Sequence, residues 1–143
     1  LKYYEKFLSE INERGQGNQY IGPFIGYVYM QNGYRKEAED FFNIQTERYI
    51  KGFEASPIEK YIWAYQLAVV YASRGNKEKA FEYLKIFNQN QSYTLKWVNA
   101  IRHPVFNSIS NEPEYQKIVK NVDTKYQILH KKVEVWLKDQ GKL

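Results

Sequence analysis

The chain has 143 residues, a net charge of +5 and no cysteine. Disulfides, thiolate nucleophiles and cysteine-based zinc sites are therefore excluded. The mild positive excess permits acidic partners without requiring them.

Taken from the N-terminus, Tyr4, Phe7, Leu8 and Ile11 have helical spacing and predict a first helix over about residues 2–14. Gly15-Gln16-Gly17-Asn18 ends it. A second helix is expected from about Gln19 to Asn32, with Pro23 tolerated in its first turn. Gly33 closes it, and the next helix runs from Arg35 to Gly52 with Ala38, Phe41, Phe42 and Gln45 on one face. Ser56-Pro57-Ile58-Glu59 reads as a capping box opening a helix that runs to Arg74. After Gly75, Asn76 caps a helix through Gln89. Ser92 starts a shorter helix through Trp97, Val98 and Ile101, stopped by His103-Pro104. Phe106 and Ile109 read as apolar pegs in a connecting loop. A helix near Glu112-Pro113 and a separate last one over Thr124–Gln140 complete the chain, with Gly141 past its end. The expectation is an all-α fold.

Two stretches are the same helical hairpin written twice. Gly26, Tyr29, Gly33, Ala38 and Phe42 in the first correspond to Ala68, Tyr71, Gly75, Ala80 and Leu84 in the second, each pair 42 residues apart. Small residues let helices approach closely, the rings wedge beside them, and the glycine turns the chain. Such a hairpin cannot bury its apolar face alone and stacks on neighbours.

This pattern resembles the tetratricopeptide repeat, a unit of about 34 residues with a small residue, an aromatic, a turn glycine and a second small residue at set spacings. The resemblance implies a superhelix of α-hairpins in one domain over residues 1–143, with repeat units at about 19–52 and 61–90 and a helical tail at about 92–143. The 42-residue spacing departs from the family, as does the missing proline after the first unit, where Pro57 does similar work. The segment from Arg102 to Tyr115 resembles a tail found after such repeats in bacterial signalling proteins, Asp-Pro-x-Phe-x-x-Leu-Arg-x-x-Pro-x-Phe, with His103 in place of the acid and Ser110 in place of the basic residue. There the repeats are often C-terminal to a DNA-binding, cyclase or sensory module. This implies that the chain is the C-terminal interaction region of a longer bacterial regulator.

In that family the first helix of each hairpin lines a groove for a peptide or helix. By position it would present Tyr20, Phe24, Tyr27, Gln31, Ile62, Tyr65, Val69 and Ser73. The lysines and asparagines of the repeats that clamp a C-terminal carboxylate are missing, which argues against that ligand. The opposing expectation is that the first helix or the last fills this groove and its rings are core. The partner would be a protein or peptide, the chain's own upstream domain or a second copy. Ile128 and Val135, one heptad apart, are a possible interface.

Two alternatives compete. From Tyr115 to Leu143 seven lysines face three carboxylates, which would suit a nucleic-acid-binding array. At about 100° per residue they spread around a stripe of Tyr126, Leu129, Val133 and Trp136 expected to be buried, which argues against it. The other alternative is a structural spacer or dimerisation element. His130 and Glu134 lack a third ligand for zinc. Gly15-Gln16-Gly17 lacks the third glycine and the preceding strand of a dinucleotide loop. No catalytic residue, cofactor or metal is assigned, and no stretch approaches the roughly 18 apolar residues that span a bilayer.

Overall fold

The computed structural model describes residues 22–143. The expected helix over residues 2–14, the turn at 15–18 and Tyr20 lie outside the described residues. The described chain is all-α: α1 Gly22–Gln31, α2 Arg35–Ala55, α3 Lys60–Ser73, α4 Lys77–Phe87, α5 Leu95–Ala100, a 3-10 segment Pro104–Ile109, and α6 Pro113–Asp139. No strand occurs among the described residues.

The repeat is visible at the level of single hydrogen bonds. At the end of α1, Gly33 has φ of 82° and donates to Met30 O (3.2 Å), while the Tyr34 N–H donates to Tyr29 O (3.0 Å). At the end of α3, Gly75 has φ of 73° and donates to Ala72 O (3.0 Å), while the Asn76 N–H donates to Tyr71 O (2.9 Å). Both are Schellman closures, which need a left-handed residue that only glycine adopts without strain. The chain then re-enters a helix in the same register, with Ala38 N bonded to Tyr34 O and Ala80 N to Asn76 O, both at 3.0 Å. Ala38 and Ala80 are completely buried.

α1 packs on α2 and α3, and α3 packs on α2 and α4. α3 is the central rod: every residue from Trp63 to Val70 is buried. It therefore carries almost no amphipathic pattern, as a helix enclosed on all sides should. One core lies between α1, α2 and α3 around Phe42, Tyr49, Trp63 and Leu67. The other gathers α3, α4 and the tail around Leu84, Phe87, Tyr93, Phe106 and Val122. The seam of α2 and α3 is locked by Arg74, whose guanidinium meets Glu39 (2.9 Å) and Asn43 Oδ1 (2.6 Å) and lies 5.4 Å from the Phe42 ring centre.

Four boundaries differ from the sequence expectation, the first being the end of α2 at Ala55 rather than Gly52. Ser56 Oγ accepts from the Glu59 N–H (3.3 Å), so the expected cap bond forms, but Pro57–Glu59 is a turn and regular helix starts at Lys60. The helix expected from Ser92 starts at Leu95, preceded by an extended Thr94. The two expected C-terminal helices are one rod of 27 residues, α6. Nothing between Asn121 and Thr124 breaks a helix, and Thr124 Oγ1 donates to the Lys120 carbonyl one turn back (2.9 Å), as a threonine inside a helix does.

Candidate functional site

The candidate groove is the face shared by α1 and α3, and the chain itself fills most of it. Tyr65, expected to face a ligand, is 2% exposed, and Val69 is fully buried. This corrects the groove assignment of both. The Tyr65 ring lies 5.2 Å from Trp97, 5.5 Å from Phe87 and 6.0 Å from Phe106, and its hydroxyl donates to Ala100 O at 2.9 Å. Burial pushes that phenol far above the ordinary tyrosine range. Among the described residues the filling elements are α5 and the 3-10 segment, backed by Tyr115 at the start of α6; the first helix, the other expected occupant, lies outside the described residues. Phe106 and Ile109, three residues apart, point the same way in a 3-10 turn and are buried together.

His103 latches the open end of the 3-10 segment, which lies as a strap over the groove. Its ring centre is 4.3 Å from Phe24 and 5.8 Å from Tyr27, and its Nδ1 accepts the Val105 N–H at 3.2 Å. The accepting nitrogen must be unprotonated, and burial holds the imidazole below its ordinary 6.5. Below pH 6.5 the unfolded chain therefore binds more protons than the folded one, and stability falls as pH drops. The urea midpoint is expected to fall between pH 7.5 and 5.5, and the fall to be shallower in His103→Gln, which keeps a local acceptor without the charge. Equal slopes for both proteins would show that His103 is not the group responsible.

What stays open is a cleft of about 350 Å³ between the ends of α1 and α3 and the strap. Tyr27, Gln31 and Ser73 line it, together with Ala72, Gly75, Pro104, Val105, Asn107 and Ser108. Three of the expected groove residues thus meet at one opening. Phe24 is taken up by His103, and Ile62 is half-buried outside the cleft. Among the described residues no charged side chain lines it. Its amides and hydroxyls suit main-chain donors and acceptors of a neutral segment. Ser73 spends its proton on Val69 O (2.8 Å), leaving its oxygen as an acceptor. Sequence periodicity could not locate the opening, because half its wall comes from the strap.

Comparison with known proteins finds no matching family model, no matching curated protein and no matching solved structure.

Among the described residues no three His, Asp or Glu side chains converge as a metal site. Glu134 instead faces Lys138 (2.6 Å) and Lys131 (3.6 Å), and these lysines hold its carboxyl below the usual range. No described helix is long and apolar enough to cross a membrane.

A second correction concerns α6. Its stripe was expected to be buried throughout, yet Val133 is 47% and Trp136 55% exposed. Ile128 and Val135, the possible interface, are also exposed. The stripe is buried only as far as the bundle reaches, at Tyr115, Ile118 and Val122.

Proposed function

We propose that this chain is a protein-binding module, a tetratricopeptide-type stack of α-hairpins that takes a neutral, extended peptide segment at the cleft of Tyr27, Gln31 and Ser73. The observation that carries this reading is the opening itself, a place on the hairpin face where the chain's own strap stops short. The two hairpins in 42-residue register support the repeat architecture. The likeness of the Arg102–Tyr115 tail to tails of bacterial signalling proteins supports a role as the interaction region of a regulator. The reading assigns binding rather than catalysis.

A peptide library selected on the chain tests it. Ser108 is exposed at the cleft rim, so Ser108→Trp is expected to block the opening and leave the cores intact. Selected peptides should bind the parent chain and lose binding to Ser108→Trp at unchanged thermal stability. Peptides that bind both proteins equally, or no enrichment over an unrelated helical protein, would refute the cleft as the site.

A further inference from the structure

The second half of α6 carries a surface independent of the cleft. The first half is pinned to the body. Its ends meet Lys77–Glu112 (3.3 Å), Lys85–Glu114 (2.9 Å) and Arg102–Asp123 (2.6 Å), and Lys125 Nζ reaches the carbonyls of Asn88 (2.5 Å) and Asn90 (2.7 Å). Beyond Lys125 the ion pairs among the described residues are within α6 itself. At 1.5 Å per residue, the stretch after Val122 extends about 25 Å.

The stripe that packs Tyr115, Ile118 and Val122 into the bundle continues without a break in spacing through Leu129, Val133 and Trp136. It is thus a helix-packing surface whose second half has no counterpart among the described residues. Ile128 and Val135 form a neighbouring line. At about 100° per residue Lys132 falls between the two lines, and among the described residues neither it nor Lys120 has an ion-pair partner. From Lys120 to Lys142 six lysines stand against three carboxylates.

We propose that this half of α6 docks an acidic amphipathic helix of a partner protein, its apolar stripe laid on Leu129, Val133 and Trp136 and its carboxylates set against Lys132 and the neighbouring lysines. The continuity of the stripe selects a helix, and the charge selects an acidic one. A second copy of α6 would bring the same excess of lysines, and like charges across an interface disfavour pairing.

The test uses two synthetic helices with one leucine stripe, flanked by glutamates in one and by lysines in the other. The readout is Trp136 emission, isolated by subtracting the spectrum of Trp136→Phe. In the free chain Trp136 is expected to be open to acrylamide. The glutamate helix should shift its emission to the blue and saturate, and the lysine helix should not. Lys132→Glu should weaken the acidic helix about tenfold. Val133→Asp should remove the response, while Ile44→Asp on the exposed side of α2 leaves it unchanged. Should Val133→Asp unfold, Lys132→Glu, at an exposed position, carries the test alone. Equal response to both helices would overturn the proposal. So would a Trp136 shielded in the free chain, by self-association or otherwise, or a response to phosphatidylglycerol vesicles but not to the glutamate helix.

Discussion

Gly26→Ala is expected to destabilise the chain by about 2 kcal/mol, against a helix-propensity gain of up to about 1 kcal/mol in the other direction. A Cβ on Gly26 would overlap the Phe42 ring. Phe42 is completely buried, with the Arg74 guanidinium over its ring and the closely packed α1–α2 hairpin around it, so it has no free rotamer to retreat to. The second hairpin shows what relieves the overlap, because the equivalent pair there is Ala68 and Leu84, both fully buried. Phe42→Leu should lose ring contacts on its own. Combined with Gly26→Ala it should recover most of the loss, giving a coupling on the order of 2 kcal/mol between the two sites. Urea unfolding of the four proteins measures the cycle. A Gly26→Ala chain more stable than the parent would mean that the hairpins do not nest at this point, and the register of the repeat would lose its physical basis.

That register was legible in the sequence because it is written in local chemistry. A glycine must stand where the Schellman turn needs a left-handed residue, and a small residue must stand where two rods touch, so Gly33, Gly75, Ala38 and Ala80 announce themselves. Asn76 likewise declared its cap, and its Oδ1 accepts the Lys79 N–H at 3.0 Å. The continuity of α6 was harder to read. A polar run such as Asn121-Val122-Asp123-Thr124 resembles a turn, yet contains no residue that forbids a helix. The occupant of the groove was harder still. Spacing shows that Phe106 and Ile109 seek an apolar surface, but which surface depends on how α5 and Pro104 steer the chain, a tertiary fact. The same limit explains Val133 and Trp136. Periodicity places them on the face that holds Val122, but cannot show that the bundle ends before reaching them.

Tyr65→Ala is expected to cost about 3–5 kcal/mol, and Tyr27→Ala about 1 kcal/mol. An open groove would make the two equivalent, and the structure divides them. Tyr65 joins three aromatic neighbours inside a sealed core, and its removal leaves a cavity that Trp97, Phe87 and Phe106 cannot close without moving α5 and the strap together. Tyr27 is half-exposed at the cleft, and its ring meets His103 edge-on. Tyr65→Phe separates the terms further, since it keeps the ring and leaves the Ala100 carbonyl without its donor, a loss of about 1 kcal/mol. Thermal melts of the three variants give the order. Equal destabilisation by Tyr27→Ala and Tyr65→Ala would mean that the cleft is as much core as the rest of the groove, leaving α6 as the surface on which a partner could be sought. The expected order instead leaves Tyr27 free to be altered without unfolding the chain, so that any loss of peptide binding in Tyr27→Ala reports on recognition rather than on stability.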